Sequence, residues 1–141
     1  MEDYIEIVIS GAPLNYEDSF KRIEDPAIGG IVSFIGTVRN HHKEKNVIKL
    51  VFEAYEKMAI SEMRKIAESA LQKFDIDKIL IHHRTGVLDI GEIPVIIIVG
   101  AAHRKDAFRA CEFAIDTLKE TVPIWKHEFY EDGDVWVAAH P

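Results

Sequence analysis

The stretch that decides the fold runs Ile93-Pro94-Val95-Ile96-Ile97-Ile98-Val99-Gly100-Ala101-Ala102 and passes directly into His103-Arg104-Lys105. The apolar part is about half of the ~20 residues needed to cross a bilayer, so it reads as a buried strand. The basic residues that follow open a helix from about Lys105 to Thr121, with Phe108, Cys111, Ile115 and Leu118 as its buried stripe. Pro123 disfavours helical geometry at Val122 and ends it. Two strands are then expected, Ile124 to Tyr130 and Asp134 to Ala138, around the turn signal Glu131-Asp132-Gly133.

Working back toward the N-terminus, a strand near Lys78 to Arg84 connects to the central run through Gly86 and Gly91. Before it, Lys57 to Phe74 carries Met63, Ile66, Ala67, Ala70, Leu71 and Phe74 at helical spacing. Val47 to Tyr55 and Gly30 to Val38 read as strands, joined by Arg39 to Asn46, a polar and mobile connection with a local net charge of +2. Asn15 is placed to cap a short helix with Phe20 and Ile23 buried, and Tyr4 to Ser10 alternates isoleucines on one face. No linker or repeat divides residues 1–141, and the expectation is a single α+β domain.

The chain has 141 residues, 17 basic and 24 acidic, for a net charge of −7, and 48% of its residues are apolar. That composition supports an ordinary core without disulfides or metals. It opposes broad nucleic-acid or anionic-membrane binding, which needs many phosphates neutralised, so any anion site must be local. Cys111 is the single cysteine and Met1-Glu2-Asp3-Tyr4 has no basic leader, which points to a reducing, cytoplasmic setting.

Several residues invite a chemical reading. His103 and Arg104 stand where a helix N-terminus offers free N–H groups and partial positive charge, suited to an anion; the alternative is a solvated basic turn paired with Asp106. Arg39 ends a strand just after Gly36-Thr37-Val38 and is either a phosphate clamp or a surface residue. Lys119 lies in the last helical turn, where a cation also simply complements the dipole. Lys126 sits among Ile124, Trp125, Phe129 and Tyr130, an aromatic setting that would partly desolvate an amine. The pairs His41-His42 and His82-His83 do not read as a metal site, because adjacent strand residues face opposite ways. His83 is expected to be paired within the sheet, and Cys111 to be a core thiol.

Taken in order, these segments resemble the catalytic (large) subunit family of molybdopterin synthase. The resemblance runs from Gly30 to about Trp136 and rests on Gly36-Thr37-Val38-Arg39, Phe52-Glu53-Ala54-Tyr55 with Met58, His82-His83-Arg84-Thr85-Gly86, Gly91-Glu92, Ala102-His103-Arg104, Asp116 to Lys119 and Pro123-Ile124-Trp125-Lys126-His127-Glu128. It implies an α/β-hammerhead fold with an additional small antiparallel sheet, and a homodimer at the centre of a heterotetramer. Each outer partner would be a small ubiquitin-like sulfur carrier with a C-terminal Gly-Gly thiocarboxylate. The implied reaction donates that sulfur to cyclic pyranopterin monophosphate, with no cofactor and no metal. By position, Lys119 and Lys126 resemble the catalytic lysines. Thr37, Val38, Arg39, His103 and Arg104, with Lys119, Lys126, His127 and Glu128, resemble the substrate pocket. Relatives often carry a longer basic tail than the end at Pro141, which leaves any contact from such a tail open. Two other readings compete: an anion-sensing module, which would not need the two lysines, and a scaffold that only assembles partners.

Overall fold

The central apolar run forms strand β7 (Val95–Ala101), every residue of which is buried in this computed structural model of residues 4–138. Alternation assigns its side chains to two cores. Ile96 and Ile98 join Ile23 and Leu80 beneath helix α1 (Tyr16–Ile23). Val95, Ile97 and Val99 face the larger core beneath helices α2 (Glu56–Lys73) and α3 (Arg104–Thr121). These two helices touch each other, and both bury alanines in this core, Ala59, Ala67 and Ala70 on α2 and Ala107, Ala110 and Ala114 on α3. The readings of Met1 to Asp3 and of His140-Pro141 lie outside the described residues.

The first sheet has the order β1 (Tyr4–Ser10), β5 (Lys78–Arg84), β7, β2 (Gly30–Gly36). β1 and β5 run parallel, and the other pairs are antiparallel. The second sheet has β3 (His41–His42), β4 (Lys45–Ala54), β8 (Ile124–Tyr130) and β9 (Gly133–Ala138), with β6 (Gly86–Asp89) on the edge of β4 away from β8. The expected α+β class is the observed one.

Four details differ from the sequence reading. Phe108 is 60% exposed, because the buried stripe of α3 runs through Ala107, Ala110, Cys111, Ala114 and Leu118 and leaves it outside. In α1 the buried partner of Ile23 is Ser19, with Phe20 half-buried; Asn15 caps as expected, its Oδ1 accepting from Asp18 N at 3.1 Å. The Gly86 to Gly91 connection contains β6, whose Val87 and Leu88 pair with β4. The segment expected to be a mobile loop is a tight hairpin, in which β3 pairs with the start of β4 and both turn residues, Lys43 and Glu44, have positive φ. A two-residue turn of that hand matches strand twist, and the ladder holds it without the usual Asn-Gly.

Candidate functional site

Three elements that are distant in sequence bring cations to one cleft of about 410 Å³. Arg39 follows β2, Lys119 is in the last turn of α3 and Lys126 is on β8. Among the described residues no carboxylate lines this cleft, and neither Arg39 nor Lys119 has an ion-pair partner. Phe34, Phe52 and His83 supply apolar and aromatic wall, and Thr37 lies at the rim. Arg39 and Lys119, cations without an ion-pair partner, beside an apolar wall suit an anionic, partly aromatic small molecule.

The backbone explains Arg39. Gly36 lies so close to β7 that an added Cβ would stand 2.7 Å from Val95 Cγ1, so glycine is needed where the strand ends against the cleft. Val38 then donates to Glu92 O at 2.9 Å and accepts from Gly91 N at 2.8 Å. Its side chain is buried, so Val38 pins the turn and does not itself line the cleft. Glu92 in turn accepts from Arg84 Nη1 at 2.6 Å and from Asp89 N at 2.6 Å; that backbone bond and Arg84 hold its carboxyl below the usual range.

On β8, alternation separates residues that sequence reading had grouped together. Lys126 and Glu128 face the cleft and a small adjoining cavity, whereas Trp125, His127 and Phe129 face the other way. Of the aromatic setting expected for Lys126, Trp125 and Phe129 lie on the opposite face, Tyr130 shares its face, and Phe52 pairs with it from β4. Its charged neighbour is the Glu128 carboxylate at 3.5 Å. His127 does not reach the cleft. It stacks between Phe129 at 4.2 Å and Trp136 at 4.4 Å, with Nε2 3.1 Å from Asp134 Oδ1 but poorly directed for a hydrogen bond.

Glu128 is buried and well supplied with donors. Tyr130 donates its hydroxyl to Oε1 at 2.5 Å, and His42 Nδ1 lies 3.1 Å from the same oxygen. Burial pushes this carboxyl upward, yet the Tyr130 bond, the Lys126 charge and His42 together hold it below the usual range. The same bond pushes the Tyr130 phenol up to about 12. His42 and Tyr130 were not among the expected site residues. Tyr130 shares the period-2 face of Lys126 and Glu128, which the sequence does signal; nothing local signals His42, 86 residues from Glu128.

The two histidine pairs diverge as strand alternation requires. His82 bonds Glu6 at 2.7 Å on the α1 side, while His83 turns toward Phe52 and the cleft. His83 Nδ1 donates to Arg84 O at 2.8 Å, and burial pushes the imidazole down to about 4, so it is neutral at physiological pH. Among the described residues no three His, Cys, Asp or Glu side chains converge as a metal site. Cys111 is buried and its thiol is pushed up to about 11 by burial, which keeps it protonated and a poor nucleophile at neutral pH.

His103 and Arg104 are not in this cleft. They stand at the opposite end of α3, about 24 Å from Lys119 at the helical rise per residue. Both are exposed, and Arg104 lies against Gly30, where an added Cβ would be 3.2 Å from its Cα.

The sequence model of the MoaE protein family matches residues 9–121. The chain belongs to the MoaE family. A molybdopterin synthase catalytic subunit of Pyrococcus abyssi is 39% identical over 94% of this chain and 90% of its own length. The crystal structure of molybdopterin synthase from Staphylococcus aureus superposes with a TM-score of 0.86 at 39% identity, covering 97% of this chain and 98% of that one. A Helicobacter pylori chain, solved in a complex of subunits 1 and 2 of molybdopterin-converting factor, shares the fold with a TM-score of 0.75 at 24% identity over 97% and 93% of the two chains. This MoaE-family chain is accordingly an enzyme subunit of molybdopterin biosynthesis. Among its described residues no helix is long and apolar enough to cross a membrane.

Proposed function

We propose that the Arg39, Lys119 and Lys126 cleft is where cyclic pyranopterin monophosphate receives sulfur from the C-terminal Gly-Gly thiocarboxylate of a small ubiquitin-like partner. The observation that carries this reading is the convergence of three cations on a wall bearing Phe34, Phe52 and neutral His83. Among the described residues Arg39 and Lys119 have no ion-pair partner, and only Lys126 meets a carboxylate, Glu128. Arg39 is suited to grip the substrate's phosphate and so orient the pterin. An ammonium at Lys119 or Lys126 can protonate a leaving oxygen or stabilise charge that develops as sulfur adds. Sulfur must come from outside the chain, because Cys111 is buried with its thiol held protonated.

In this reading the assembly is a cytoplasmic heterotetramer with a homodimer at its centre, and the H. pylori complex of two subunits supports the small partner. Because His103 and Arg104 are exposed at the far end of α3, their part in substrate binding requires a second copy of the chain to bring them to the cleft. Thr37 and Glu128 contribute the rim and the adjoining cavity. The decisive experiment mixes the chain with thiocarboxylated partner and cyclic pyranopterin monophosphate and follows dithiolene product. Product should form with the parent chain and with Cys111→Ala; loss in a folded Cys111→Ala variant would overturn the partner-borne sulfur. Mixing two individually inactive variants, Arg104→Ala and Lys119→Ala, should restore part of the activity if one site draws on both copies.

A further inference from the structure

We infer that His42 and Tyr130 are positioning residues for Lys126, acting together through Glu128; the inference rests on Lys126 acting on substrate as proposed above. Their geometry on the Glu128 carboxylate is asymmetric. Tyr130 Oη at 2.5 Å and His42 Nδ1 at 3.1 Å both meet Oε1, while Lys126 Nζ lies 3.5 Å from Oε2. An ionised carboxylate only accepts, so the imidazole carries its proton on Nδ1 and donates it. The torsion that rotates a glutamate carboxylate is broad and soft, and burial alone does not select an orientation. Two donors on one oxygen do select it, and they turn the other oxygen to the ammonium.

The three supports come from different places. Glu128, Tyr130 and Lys126 share one face of β8, and His42 reaches in from the β3–β4 hairpin. His42 thereby ties that hairpin to β8, with Arg39, His41, Lys126 and Glu128 around the small cavity of about 80 Å³ that adjoins the cleft. Holding the lysine at one corner limits the volume its flexible stem samples, which matters because a misplacement on the order of 1 Å can cost ~10²-fold in rate. Two interactions that order the lysine should show in the rate at saturating substrate more than in substrate binding.

The test uses the reconstituted complex under single-turnover conditions with saturating thiocarboxylated partner. His42→Phe and Tyr130→Phe keep ring bulk and remove the donors. Each should lower the limiting rate about tenfold or more while half-saturation for the pterin substrate and partner binding stay near parent values. The lost bond to buried Glu128 lowers the melting temperature modestly, leaving the chain folded at the assay temperature. His42→Asn, whose amide nitrogen can occupy the Nδ1 position, should recover most of the rate. Lys126→Ala is run alongside. If it is inactive while both Phe variants turn over at the parent rate, or shift only half-saturation, the inference fails alone. If Lys126→Ala itself turns over normally, the lysine reading fails and takes the inference with it.

Discussion

Strands β7 and β8 have the same length and lie in different sheets, and they carry sequence information in opposite ways. All seven residues of β7 are buried, so both of its faces are core and substitution there acts on stability. β8 alternates: Ile124 and Glu128 are buried, Lys126 is half-buried toward the cleft, and Trp125 is exposed on the other face. A strand with two identical faces is recognised from composition. A strand with two different faces is understood only when it is known which face meets what.

The largest effect should come from β8 and its partner across the cleft. Lys126→Ala and Lys119→Ala should each lower single-turnover product formation by ~10²-fold or more while leaving the fold and partner binding in place. Arginine at either position should rescue poorly, because it keeps the charge but does not readily release a proton. Near-parent turnover in both alanine variants would break the contrast between the two strands. On β7, Ile97→Ala should do the reverse, costing about 2–5 kcal/mol in denaturant unfolding through a cavity in the large core, with turnover per folded molecule unchanged.

A third test separates the two neighbouring histidines from the carboxylates. His83 titrates near 6.5 in the unfolded chain and is pushed down to about 4 in the fold by burial, so between those values the unfolded state binds a proton that the native state refuses. Stability should therefore hold above pH 6.5 and fall as pH drops toward 4, by up to about 3 kcal/mol from this one group. His82, lowered by burial against the pull of Glu6, adds to the same window. The carboxyls of Glu6, Glu92 and Glu128 are held below their ordinary value of 4.5, so their stabilisation is lost only at more acid pH. In His83→Gln the slope between pH 6.5 and 4.5 should be shallower than in the parent; an unchanged slope would refute the assignment. The smallest effect is expected at the exposed Lys45–Asp132 pair, 3.9 Å apart, where Lys45→Ala should cost no more than ~1 kcal/mol in a melting experiment.

Much of the fold was legible because burial and backbone constraint act locally. The β5 and β7 strands, the Asn15 cap, the stop before Pro123 and the Glu131-Asp132 turn occur as read, each set by residues within a few positions of one another. Phe108 misled because a helical stripe of alanines can bury more deeply than the large residue beside it. The β3–β4 hairpin was missed because Lys43 and Glu44 are not turn formers, and only pairing with β4 holds them at positive φ. At the site, Arg39, Lys119 and Lys126 were singled out from residue type and order, yet His127 was grouped with Lys126 although strand alternation sends it to the opposite face.

By itself, then, the sequence determined the α+β class, the double-faced burial of the central strand and the family, since periodicity, caps and motif order are properties of neighbouring residues. Only the tertiary structure decided that three cations 80 and 7 positions apart along the chain share one cleft, and that His42 reaches Glu128. Those facts depend on strand order and register across the second sheet, where contacts join residues with no local relation, and no periodicity within the chain encodes which distant strand a side chain will face.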